Sequence, residues 1–172
     1  MRYVIAAYDA STGLRRWATS YGAGLDAVAS SVAVGPGGST VFVTGSAGTP
    51  HYRRLCVTVA VDALTGARGW VAVFGHRTRG LASGAAIAVS PDGSQVFVVG
   101  GIYRDRYMDD YLTIAYDATD GGRLWWRHEG IGSSDDGSGL VVTPDGSEIV
   151  VTGTMGSQMG ELKFGTVAYS VG

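Results

Sequence analysis

An all-β fold assembled from repeated four-stranded sheets is what this sequence predicts, on three observations. The segment Ala-x-Asp-x-x-x-Gly-x-x-x-Trp occurs three times, as Ala7…Asp9…Gly13…Trp17, Ala60…Asp62…Gly66…Trp70 and Ala115…Asp117…Gly121…Trp125. The copies are evenly spaced: Asp9 to Asp62 is 53 positions and Asp62 to Asp117 is 55. Between them lie only strand-like segments and Pro/Gly turns. A period near fifty built from strands alone predicts a β-propeller array.

The strands fall into a cycle of four, named a to d from the propeller axis outward. Strand a is small and apolar, over Val28–Val34, Gly84–Val89 and Ser138–Thr143. It ends in a turn, Gly35-Pro36-Gly37-Gly38-Ser39, Ser90-Pro91-Asp92-Gly93-Ser94 or Thr143-Pro144-Asp145-Gly146-Ser147. Proline presets φ at the first corner and glycine supplies the positive φ. Strand b follows as Val41–Gly45, Val96–Gly100 and Ile149–Gly153, β-branched and aromatic throughout, which suits a strand covered on both faces. Strand c is Tyr3–Asp9, Leu55–Asp62, Tyr111–Asp117 and Lys163–Ser170, and strand d carries Trp17, Trp70 or Trp125. Small residues suit inner strands that converge, whereas tryptophans fill the gap where blades diverge.

The order is therefore c-d, a-b-c-d, a-b-c-d, a-b-c, about three blades in one repeat domain spanning 1–172. The blade segments are 1–22, 23–75, 76–130 and 131–172. Closed propellers use four to eight blades. The sequence thus predicts a partial propeller, either an open arc or one closed by a further copy or by additional sequence. Two copies head to tail would give about six blades.

Composition narrows the function classes. Hydrophobic residues make up 45 % and charged residues 16 %, as in a folded chain. The 28 glycines match many tight turns. A net charge of −2 leaves no footprint for nucleic acid or an anionic membrane, so neither is expected as a partner. The single cysteine, Cys56, excludes an intrachain disulfide and a cysteine-built zinc site. Its setting, Leu55-Cys56-Val57-Thr58-Val59, predicts a buried small hydrophobe. Met1-Arg2 leads straight into a strand-like run with no signal peptide in front. The expected compartment is the cytoplasm, or the exterior if the chain is a piece of a longer exported protein.

The repeat resembles that of bacterial β-propellers of the pyrroloquinoline-quinone-like group, whose tryptophan-docking motif has the spacing quoted above. Its Pro-Asp-Gly-Ser turns are similar to those of WD-repeat propellers. The likeness spans nearly the whole chain, because Ala168-Tyr169-Ser170 matches the start of a fourth copy. It implies a propeller fold. Quinoprotein dehydrogenases of this group use a complete ring, an adjacent cysteine pair and a calcium site, and this chain has one cysteine. Leu14, Ala67 and Gly122 stand where the group commonly has Lys or Glu. The quinone is not carried over, and no cofactor is expected.

Topology puts the short a–b and c–d turns on one face and the longer, dissimilar b–c and d–a connections on the other. Variable loops on a rigid frame are where binding usually resides. The richest is the segment from Ile102 to Tyr111, which offers Tyr103, Arg104, Arg106 and Tyr107. Neighbouring loops add Tyr52 with Arg53 and His76 with Arg77, completing a basic, aromatic rim of the kind that recognises proteins or stacks on sugars. Asp135 and Asp136 are weak candidates for a calcium site, against the reading of a solvated turn. The histidines His51, His76 and His128 have no Ser or Cys partner in a recognisable motif and read as surface residues. Asp109 and Asp110 are adjacent in a strand-like segment and point to opposite faces, so they cannot be the two carboxylates of a glycosidase. Asp9, Asp62 and Asp117, repeated at a tight turn, read as backbone caps.

The expected function is a non-enzymatic binding or scaffold module presenting its b–c and d–a loops to a protein or carbohydrate. The alternative is a fragment or subunit of a quinoprotein-like or lactonase-like propeller enzyme.

Overall fold

The computed structural model describes residues 3–22, 26–48, 54–75, 81–105, 108–130, 135–156 and 162–171. They form thirteen strands: β1 Tyr3–Tyr8, β2 Arg15–Tyr21, β3 Val28–Val34, β4 Thr40–Gly48, β5 Arg54–Asp62, β6 Arg68–Phe74, β7 Leu81–Val89, β8 Gln95–Asp105, β9 Met108–Asp117, β10 Arg123–Glu129, β11 Asp136–Val142, β12 Glu148–Gly156 and β13 Leu162–Ser170. Every pairing is antiparallel. The sheets are β1-β2, β3-β4-β5-β6, β7-β8-β9-β10 and β11-β12-β13. The partial propeller is therefore present, in the strand order the repeat predicts.

The inner strands β3, β7 and β11 pack one against the next, and residues along them are small for that reason. Each carries a bulge at the same place. The ladder skips Ser30 on β3, Ala85 on β7 and Ser138 on β11. Opposite each bulge stands a glycine of the second strand, Gly45, Gly100 or Gly153, where a Cβ would run into the backbone of the bulged strand. Those glycines look like strand ends in the sequence. In the structure β4, β8 and β12 run three to five residues past them, because the bulge needs a residue without a side chain and the ladder then continues.

The core lies between sheets. Phe42, Val96, Val98, Leu112, Ile114 and Tyr116 form its largest cluster, from the second and third strands of adjacent blades. Both faces of these strands are covered, which accounts for their unbroken apolar sequence. Cys56 is fully buried here, and desolvation pushes its thiol up to about 12, so it is inert as a nucleophile.

At the outer hairpins one device repeats. The Asp9 carboxylate accepts from the backbone N–H groups of Ser11 and Thr12, Asp62 from those of Leu64 and Thr65, and Asp117 from that of Thr119. Four residues on, Gly13, Gly66 and Gly121 take φ values of 70°, 71° and 75° and donate N–H back to the aspartate carbonyl. The inner turns are fastened to the outer ones: Ala63, Ala118 and Val171 donate N–H to the carbonyls of Ser39, Ser94 and Ser147. Both sets of short turns thus share one end of the molecule.

These caps give a pH dependence. Hydrogen bonds from Ser90 and Ser94 hold Asp92 down at about 2, and those from Thr143 and Ser147 do the same for Asp145, against an ordinary value of 3.8. Asp9 and Asp62 are lowered as well, chiefly by the hydroxyls of Ser11 and Thr65. A carboxylate with a depressed folded value stabilises fully above its unfolded value and loses that contribution as pH falls through the folded one. The Tm is expected to stay level down to pH 3.8 and to drop between there and about 2. Calorimetry across that window checks it, and a flat profile would contradict the capping role.

Candidate functional site

The end opposite the short turns carries the b–c and d–a connections. Its best-described feature is the hairpin of β8 and β9. The segment 102–111, expected as an open loop, is instead strand almost throughout, with Asp105 paired to Met108 across the tip. That is a correction, and its cause is register: Ile102 pairs with Asp110 and Tyr103 with Asp109, so the ladder simply continues outward. The flanking strands stop earlier. Among the described residues β7 pairs no further than Tyr103 and β10 no further than Tyr111. Among the described residues the hairpin therefore continues past the paired parts of β7 and β10 as a short arm.

Of the expected rim, Tyr103 lies in β8 at the base of this arm, half-buried. Arg104 follows it in β8. Arg106, Tyr107, Tyr52, Arg53, His76 and Arg77 lie outside the described residues.

Behind the arm are groups the sequence reading did not bring together. The His128 Nδ1 is 3.0 Å from the Asp110 Oδ2. His128 pairs with Leu112 across the β9–β10 ladder, which puts it on the same face as Asp110, two residues away. Its ring stacks on Trp126 at 5.5 Å, and Trp126 tilts against Phe74 at 5.3 Å. His128 is therefore not a free surface histidine. A β9–β10 register, invisible without the fold, decides this.

The aspartates expected on a solvated turn also differ. Asp135 is fully buried and accepts the Gly156 N–H at 2.7 Å. Asp110 and Asp135 both converge on Gly130, where a Cβ would lie 3.2 Å from Asp135 Oδ2 and closer still to Asp110. Asp136 approaches Gly101 in the same way. The carboxylates thus occupy the cleft between two blades, each against a glycine that leaves room for it. Burial, reinforced by Asp135 and Asp136, raises the Tyr111 phenol above its ordinary value, and its Oη donates to the Gly165 carbonyl at 3.3 Å. Among the described residues these groups include no set of three His, Cys, Asp or Glu placed to hold a metal. The Asp110–His128 pair can orient an imidazole for proton transfer, yet no hydroxyl or thiol among the described residues hydrogen-bonds that ring.

No family model and no curated protein matches the sequence. Solved structures do. BamB from Moraxella catarrhalis is similar with a TM-score of 0.53 at 19% identity, over 87% of this chain and 36% of that one. A putative 6-phosphogluconolactonase from Bacteroides uniformis ATCC 8492 is similar with a TM-score of 0.51 at 11% identity, over 96% of this chain and 51% of that one. The fold is that of a β-propeller. The chain spans between a third and about half of the length of these relatives, and at such identities the likeness extends to architecture alone.

Proposed function

We propose that this chain is a binding module of the bacterial tryptophan-docked propeller type and that it engages a protein partner through the arm formed by β8 and β9. The observation that carries this is the arm itself, a hairpin whose β8–β9 ladder runs past the described pairing of β7 and β10 at the end opposite the short turns. Where the described parts of β7 and β10 stop, backbone N–H and C=O groups of the arm suit strand addition, a mode in which main-chain hydrogen bonds supply affinity and side chains such as Tyr103 supply selectivity. The repeat type is supported by indole hydrogen bonds: Trp17 Nε1 donates to the Ala63 carbonyl and Trp70 Nε1 to the Ala118 carbonyl, each at 2.9 Å. The reading as part of a quinoprotein-like or lactonase-like enzyme draws only on fold likeness.

The test uses the purified chain against a displayed-peptide library and an immobilised oligosaccharide array. Peptide binders are expected, and Tyr103→Ala with Arg104→Ala should weaken them about tenfold or more with no change in Tm, as for hot-spot truncation. Binding confined to sugars would replace the protein partner with a carbohydrate. A lowered Tm with binding intact would assign these residues to packing.

A further inference from the structure

The turns β3–β4, β7–β8 and β11–β12 share one backbone, but the first has lost its side chains. Gly38, Gly93 and Gly146 take φ values of 69°, 76° and 74° and donate N–H to the carbonyls of Gly35, Ser90 and Thr143. In the second and third of these turns a carboxylate folds over the backbone. Asp92 accepts from the hydroxyls of Ser90 and Ser94, and Asp145 from those of Thr143 and Ser147. In the β3–β4 turn Gly35 and Gly37 stand in place of the hydroxyl residue and the carboxylate. The strand leaving the turn continues the contrast, with Thr40 where the others have Gln95 and Glu148.

A cleft of about 320 Å³ lies where those groups are missing, inside the array, between two complete four-stranded sheets. Gly35, Gly37 and Thr40 line it from one sheet, and Asp92 and Thr119 from the next. Phe42 also lines it but is only 2% exposed, so it offers no ring face on which a sugar could stack. The lining includes a carboxylate and no Lys, Arg or His, so it favours a cation. Hydrogen bonds from Ser90 and Ser94 keep Asp92 ionised down to about 2. They also occupy both oxygens: Ser90 Oγ and the Ser94 N–H bind Oδ1, and Ser94 Oγ binds Oδ2. Too few lone pairs remain for the many-oxygen shell of calcium or for a bidentate guanidinium fork. A single donor from a compact cation can still be accepted.

We propose that this cleft binds a primary ammonium group, with Asp92 as its counter-ion and the hydroxyl residues Thr40 and Thr119 beside it. An ammonium is a compact point charge with three donors, which suits one carboxylate flanked by hydroxyls and backbone. A lysine side chain of a protein and a free polyamine both carry that group. The site lies at the short-turn end, opposite the arm of β8 and β9, and does not depend on what the arm engages.

Amide NMR titration with Nα-acetyl-lysine methylamide and with spermidine tests it, beside the norleucine and arginine counterparts of the lysine probe. Saturable shifts at the Gly37, Gly93 and Thr119 amides are expected with at least one of the two amines, at roughly millimolar affinity for one exposed ion pair. A tighter response to spermidine supports the site with a free polyamine as its ligand, and a tighter response to the lysine probe supports it with a protein side chain. Asp92→Asn should weaken binding about fivefold, the loss of one exposed ion pair, while its amide oxygen still accepts from Ser90 and Ser94. Gly35→Ser with Thr40→Gln copies the β7–β8 turn and should abolish the shifts by filling the cleft. A Cβ at Gly35 would meet Phe42 and Thr40 at 3.6 and 3.7 Å, ordinary contact, so the turn has room for it. Asp145→Asn, the equivalent change one blade on, should leave binding intact. No saturable shift with either amine, equal binding of the norleucine or arginine probe, undiminished binding by Asp92→Asn or by the filled variant, or its loss in Asp145→Asn would each overturn the proposal.

Discussion

Gly66→Ala is expected to lower stability by about 3–4 kcal/mol, roughly 10 °C in Tm for a chain of this size. Two terms add. The backbone at Gly66 has φ 71°, which costs an L-residue about 1–2 kcal/mol. The new methyl would also lie 2.5 Å from Trp17 Cε3, well inside contact distance, and would push the indole off its turn. Overpacking of that kind costs about 1–3 kcal/mol. Gly38→Ala separates the two terms, because Gly38 has φ 69° and an added Cβ there meets nothing within 4 Å among the described residues. It should show only the backbone term. Thermal melts of both variants check the difference, and equal losses would mean that the indole contact contributes nothing.

Trp70→Ala should cost about 3–5 kcal/mol, the usual penalty for emptying a large aromatic site. The ring lies between Phe42 of its own blade and Tyr116 of the next, and its Nε1 donates to the Ala118 carbonyl at 2.9 Å. Trp70→Phe keeps most of the apolar contact and loses the hydrogen bond, so its cost should be nearer 1–2 kcal/mol. Denaturant titration distinguishes the pair. A Trp70→Ala variant as stable as the parent would show that the blades are held from the inside alone, by β3, β7 and β11.

The two substitutions probe opposite halves of equivalent joints between successive blades, and that joint explains the motif. Aspartate caps the turn, glycine four residues on leaves its outer surface bare, and tryptophan from the preceding blade covers it. The spacing in sequence within one copy therefore records a contact between successive copies. Asp62 and Gly66 shape the turn that Trp17 covers, and Asp117 and Gly121 the turn that Trp70 covers. The aspartate side chains make their bonds locally, whereas the tryptophans reach 46 and 48 residues along the chain.

By itself the sequence determined the architecture, because a propeller blade is stabilised by local hairpins and the signals for them are short-range. Pro-Asp-Gly-Ser turns, alternating small and β-branched strands and a fifty-residue period were enough to order all thirteen strands. What lay beyond reach depended on the register between paired strands and on which blade stands beside which. The arm at 102–111 looked like a loop because its charged and aromatic residues hide a ladder that runs on in the backbone. His128 meets Asp110 through the register of β9 on β10, and Asp135 reaches Gly156 across the hairpin of β11 and β12. The tertiary structure alone showed that Trp17 covers Gly66 and Trp70 covers Gly121, whereas among the described residues nothing lies against Gly13. The three turns are nearly alike as sequence, and the difference lies entirely in which blade stands beside each.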